Sequence, residues 1–150
     1  MLLGWYWRIS QQMIELFIGC SLLLTNGITE QSIDDYFLCN HLQDVKQWYG
    51  LTQQYFGDET LKALAIMSCE SDGKITALNV NSDGSKDKGL FQFNSKTEKW
   101  LENNIYNKEL DMYNPKTNIK AAAWVVNNIG NWSWWNSSKH CWERYDTFSK

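Results

Sequence analysis

The 150-residue chain holds one proline and nine glycines, and only 21% of its residues are charged. So little proline and glycine excludes a collagen-like repeat or a low-complexity linker, and a hydrophobic content of 43% excludes a disordered chain. No uninterrupted apolar run reaches the roughly 18–20 residues that span a bilayer unaided, which excludes a polytopic membrane protein. A basic cluster is also lacking: 14 Lys+Arg stand against 17 Asp+Glu, a net charge of −3. Phosphate neutralisation needs grouped Lys and Arg, so nucleic acid is not an expected partner. Histidine is scarce, with only His41 and His140, and the four cysteines show no C-x-x-C spacing. No metal site is expected on those grounds, and no motif asks for a cofactor.

What the chain has in excess is tryptophan, nine residues beside seven tyrosines and six phenylalanines. One core cannot hold them all, and exposed rings stack on flat ligand faces such as sugars. The length suits one domain. The cysteines, Cys20, Cys39, Cys69 and Cys141, fit either reduced core thiols in the cytosol or disulfides with three pairings in an oxidising compartment.

Residues 1–27 run from Arg8 through the apolar stretch Leu16–Leu24 to Thr25-Asn26-Gly27. Charge, short apolar region and small-residue exit follow the order of a signal or membrane-anchor segment, through which membrane contact would be made. The alternative is an N-terminal helix packed on the domain.

From Ser32 apolar residues recur at three- and four-residue spacings, Ile33, Phe37, Leu38, Leu42, Val45 and Tyr49, and predict a helix stopped by Gly50. A second helix is expected from about Asp58 to Glu70, with Leu61, Leu64, Ala65 and Ser68 on one stripe and Gly73 as its stop. Residues 72–88 are rich in Gly, Asn, Asp and Ser. The flanking stretches Ile75–Val80 and Leu90–Phe93 suit a small hairpin. Further helices are expected over Thr97–Tyr106 and after Asn114-Pro115. Four tryptophans, Trp132, Trp134, Trp135 and Trp142, crowd the C-terminal stretch. The fold class is α+β, mainly α.

Glu70 closes an apolar helix, where burial raises a carboxyl pKa, whereas Asp87 falls in a polar hairpin. Two carboxyls in contrasting surroundings form an acid/base pair, although spacing alone favours two solvated side chains.

The surrounding residues decide between these. Glu70-Ser71, followed by the gapless run Asn79-Val80-Asn81-Ser82-Asp83-Gly84-Ser85-Lys86-Asp87-Lys88-Gly89-Leu90-Phe91-Gln92-Phe93-Asn94-Ser95, resembles the active-site hairpin of c-type lysozymes. That family's pattern is E-S, then N-x-N-x-D-G-S-x-D-x-G-x-x-Q-I-N-S. Gly89-Leu90-Phe91-Gln92 also resembles the G-L-x-Q motif of bacterial and phage lysozyme-like transglycosylase domains. Asn118-Ile119, Ala121–Trp124, Asn131-Trp132, Trp135 and Cys141 are similar to the helix, tryptophan wall and cysteine that follow. The resemblance covers Leu61 to Cys141; the N-terminal third does not share it.

The resemblance implies a lysozyme-like fold over residues 28–150, with a small central β-hairpin and a cleft between helical and β parts. It implies cleavage of β-1,4 bonds between N-acetylmuramic acid and N-acetylglucosamine in peptidoglycan, by a monomer that is secreted, periplasmic, membrane-anchored or virion-associated. Glu70 would be the general acid and Asp87 the nucleophile or charge stabiliser. Asn79, Asn81, Gln92, Asn94 and Trp132 would bind substrate, with Trp132 near the acid; Trp100, Trp134 and Trp135 fit core or cleft equally. A Cys69–Cys141 disulfide is expected by the same resemblance, with Cys39 as an alternative partner or all thiols reduced in the cytosol. A lytic transglycosylase needing only Glu70, and a non-catalytic glycan-binding protein, are the alternatives to a hydrolase.

Overall fold

The computed structural model describes residues 42–144. Chain contacts divide the sequence into two units, 1–43 and 44–150, and every element named below belongs to the second. The leader reading of residues 1–27 and the start of the helix expected from Ser32 lie outside the described residues.

A 3₁₀ turn, Lys46–Trp48, leads into α1, Tyr49–Phe56. Gly50 was expected to end a helix; instead it lies inside one. The stop is Gly57, whose φ of +55° an L side chain rarely adopts. After a second 3₁₀ turn comes α2, Thr60–Ser71. Ala63 through Ser68 are each almost fully buried. The burial is therefore all round the helix and not a single stripe, and Leu61 of the expected stripe is 41% exposed. A helix apolar on every side belongs at the centre of a domain, and α1 and the short helix Lys139–Trp142 both pack on it. Asp72, in the left-handed conformation, caps its end.

The β part corrects the expected hairpin. It is a three-stranded antiparallel sheet in the order β1 (Leu78–Val80), β2 (Lys86–Lys88), β3 (Phe93–Asn94). The middle strand is Lys-Asp-Lys, charged residues of low strand propensity, and most of the expected strand Leu90–Phe93 is a turn. Register puts Asn79 opposite Asp87 and Asp87 opposite Asn94. Directly opposed residues project from the same face of a sheet, so these three side chains form one row.

Asn94 then opens α3, Ser95–Leu101, by accepting a hydrogen bond from the Lys96 N–H. A π-helical turn, Glu102–Tyr106, continues it. The long helix α4, Pro115–Ile129, begins as its residues dictate: Pro115 sits in the first turn, and the Asn114 side chain accepts from the Thr117 N–H. Gly130, with φ +77°, ends it. A 3₁₀ segment, Ser133–Ser138, and the short α5, Lys139–Trp142, finish the described chain. Among the described residues no helix is long and apolar enough to cross a membrane.

The core gathers Leu64, Ile66, Met67, Leu90, Phe91, Leu101, Met112, Ile119 and Val125. An aromatic cluster of Phe56, Phe91, Trp132 and Trp135 joins it, with ring centroids 5.3–5.9 Å apart. Polar side chains lie inside as well, Thr52, Ser68 and Asn118 among them. Fully buried Asn118 accepts from the Phe91 N–H (3.0 Å) and donates to the Met112 (2.8 Å) and Lys88 (3.2 Å) carbonyls. It thereby ties α4 to the loop after β2. Gly89 is required beside it: an added Cβ would lie 2.2 Å from the Met112 oxygen and 2.4 Å from Asn118 Nδ2.

Candidate active site

Helix α2 delivers Glu70 from a buried wall, and Ser71 fixes the helix end by donating to the Leu90 carbonyl (2.8 Å) across to the β part. The cleft between them, of about 300 Å³, is lined by Glu70, Asp87, Gln92, Asn94, Trp134 and Trp135, with Phe91, Phe93, Thr97 and Ser137. The two carboxyls singled out from sequence thus face one space.

Their surroundings differ as expected. Burial pushes the Glu70 carboxyl above its ordinary value; the hydroxyl of Ser138, donating to Oε1 at 2.5 Å, pulls it back, and the charge of Asp87 raises it again. A carboxyl so placed keeps its proton to higher pH than a solvated one. Asp87 has three amide donors: Asn81 (3.0 Å) and Asn79 (3.2 Å) reach Oδ2, and Asn94 (2.8 Å) reaches Oδ1.

The amides are themselves saturated. Asn79 also donates to Asn81 Oδ1 (3.1 Å), while Asn81 and Asn94 also donate to the Ser85 hydroxyl (3.1 and 3.0 Å). Ser85 in turn donates to Asp83 (2.6 Å), which is bonded by Lys96 (2.6 Å). Every N–H of the three amides is thus used, and the network fixes Asp87 in one orientation, as fully satisfied polar networks do.

Gln92 has φ +47°, unusual for a residue with a Cβ, and donates to the Gly89 carbonyl at 2.8 Å. Backbone strain of this kind collects at functional sites.

Of the residues expected to bind substrate, Gln92 and Asn94 line the cleft. Asn79 and Asn81 stand behind Asp87 as its donors. Trp132 is not among the residues that line the cleft. It is buried, stacks on Phe56 at 5.3 Å and donates to Glu59 at 3.2 Å. Trp134 (40% exposed) and Trp135 form the tryptophan wall instead. Trp135 is held by its donation to the Phe91 carbonyl (2.9 Å), while Trp100 stands away from the cleft against Trp124, 6.2 Å between ring centroids. Trp135 has non-helical φ/ψ inside the 3₁₀ segment, so no helical periodicity predicts which rings face the cleft.

Ser137 and Ser138 were also not anticipated. A signal for Ser138 was present, since it lies three residues before Cys141, whose disulfide to Cys69 (Cα–Cα 6.0 Å) stands next to Glu70. No group of residues able to hold a metal occurs among the described residues.

A mainly helical domain with a small antiparallel sheet, and a cleft between the two that holds a half-buried Glu at a helix end, defines a lysozyme-like α+β fold. Comparison with protein families assigns it further: residues 49–135 match the transglycosylase SLT domain, and the chain belongs to that family of glycan-cleaving, peptidoglycan-acting enzymes. Searches of curated proteins and of solved structures returned no match.

Proposed function

We propose that the chain is a muramidase that hydrolyses β-1,4 bonds between N-acetylmuramic acid and N-acetylglucosamine. Glu70, protonated in its apolar setting, donates a proton to the glycosidic oxygen, and the sugar carbon left behind becomes oxocarbenium-like. Asp87, on the same cleft, supplies the negative charge that stabilises or captures that carbon. Water then attacks, and Glu70, now ionised, takes its proton. Gln92, Asn94, Trp134 and Trp135 provide amide and ring contacts for the sugars. Action on peptidoglycan is extracytoplasmic, and residues 1–27 would serve as the leader or anchor for it.

The observation that supports hydrolysis is the threefold amide grip on Asp87. A side chain so tightly oriented towards the acid's cleft is preorganised for developing positive charge. The family match is equally compatible with a second reading, lytic transglycosylation. There Glu70 acts alone as acid and then base, and the sugar's own 6-hydroxyl closes a 1,6-anhydro ring.

Mass spectrometry of digested peptidoglycan separates the two, because a hydrolysed end carries one water more than an anhydro end. Hydrolysed ends are expected. An Asp87→Asn variant is expected to lose about 10²–10³ in kcat, as when a preorganised electrostatic group is removed. Anhydro ends from the wild type, with Asp87→Asn within about tenfold of it, would replace the hydrolase by the transglycosylase.

A further inference from the structure

We propose that Ser138 is a positioning residue for the acid: its hydroxyl occupies Glu70 Oε1 and so reserves Oε2 for the proton delivered to the glycosidic oxygen. This rests on the reading of Glu70 as the general acid.

A serine hydroxyl has one proton and two candidate acceptors here, Glu70 Oε1 at 2.5 Å and the Trp135 carbonyl at 3.1 Å. That carbonyl already receives the Trp142 indole N–H at 3.0 Å. The Ser138 proton is therefore directed to Glu70, and the shorter distance agrees, since 2.5 Å lies at the short end of the O–H···O range and 3.1 Å beyond it. Once Oε1 accepts, the acidic proton belongs on Oε2, which has no hydrogen-bond partner among the described residues. Glu70 lines the cleft, so an unoccupied oxygen there can meet a substrate oxygen.

After proton transfer the same bond remains and strengthens as Glu70 becomes charged. Ser138 thus holds the side chain in one rotamer through both halves of the reaction. The support of Ser138 is equally specific: it closes the 3₁₀ segment that carries Trp134 and Trp135, and Cys141, one helical turn on, is bonded to Cys69 beside Glu70.

Among the described residues the groups facing Glu70 are few. From β2, Asp87 acts on it through its charge. The 3₁₀ segment brings Ser137 and Ser138, which do not titrate. On α5, Lys139 pairs with Glu143 at 3.6 Å, and neither it nor His140 contributes to the raised value of Glu70.

The test compares Ser138→Ala, Ser138→Thr and Glu70→Gln with the wild type in kcat, KM and pH profile on peptidoglycan. Ser138→Ala is expected to lower kcat about tenfold with KM little changed, the loss that one hydrogen bond to a charged group predicts. Because the Ser138 bond lowers the Glu70 value, removing it moves the alkaline limb to higher pH; Ser138→Thr restores both. Carbon-13 NMR titration of the Glu70 carboxyl gives the same upward shift without needing turnover. An unmoved limb and unmoved titration in Ser138→Ala, with Glu70→Gln inactive, overturns the role of Ser138 alone. An active Glu70→Gln overturns the acid assignment beneath it.

Discussion

Replacing Asn118 by leucine tests how the fold builds the cleft. The side chain has similar size but neither donor nor acceptor. The Phe91 N–H and the Met112 carbonyl would lose their partners at a site of zero exposure. Each buried backbone group left unpaired costs about 1–3 kcal/mol, so the two together cost about 2–6 kcal/mol. Against a total stability of about 5–15 kcal/mol this is a large share. With a urea m-value of about 2 kcal/mol per molar, the denaturation midpoint should fall by roughly 1–3 M.

Asn118→Asp supplies the control. It keeps an acceptor for the Phe91 N–H but turns an ionised oxygen towards the Met112 and Lys88 carbonyls. Its carboxyl pKa must therefore rise on folding. Stability is then retained below the unfolded-state value and lost as pH climbs through the folded one. Urea unfolding followed by tryptophan fluorescence at several pH values measures both variants. A loss under about 1 kcal/mol for Asn118→Leu, or a pH-independent Asn118→Asp, would refute the reasoning.

The Cys69–Cys141 bond closes a sequence separation of 72 residues, worth on the order of 4 kcal/mol in the chain-entropy treatment. Cys69→Ser should lose stability on that scale, with activity falling as the segment bearing Trp134, Trp135 and Ser138 loosens; thermal melts and turnover check it. On the proposed mechanism Glu70 acts in its protonated form, and its value is raised chiefly by burial. Cleavage should therefore persist above the ordinary carboxylate range and fall as pH rises through the raised value, as a pH–rate profile will show. Asp87→Asn removes a charge that raises Glu70, so the residual activity of that variant should have its alkaline limb at lower pH.

The helical frame was largely legible because its punctuation is local. Asn114-Pro115 and Gly130 bound α4 as caps do, and the apolar run ending at Glu70 marks α2. The row Asn79–Asp87–Asn94 was legible as a motif but not as geometry. Its middle strand is Lys-Asp-Lys, which pairs only because both neighbours supply edges in register. That Trp134 and Trp135 line the cleft while Trp132 does not was not legible, because a 3₁₀ segment has no amphipathic period to read. Ser138 becomes visible only once Cys141 is known to meet Cys69. Gly50 misled because a glycine with open space around it is tolerated inside a helix, whereas the positive φ at Gly57 is not available to most residues.

The central claim is that Glu70 is the acid that breaks a glycosidic bond of peptidoglycan. Release of soluble fragments from purified cell walls by Glu70→Gln, measured beside the wild type at matched folded protein, tests it most directly. Glutamine keeps the shape and can still accept from Ser138, but it has no proton to give. The account predicts a loss of about 10²–10⁴-fold with unfolding stability retained, while activity within about tenfold of the wild type would contradict it.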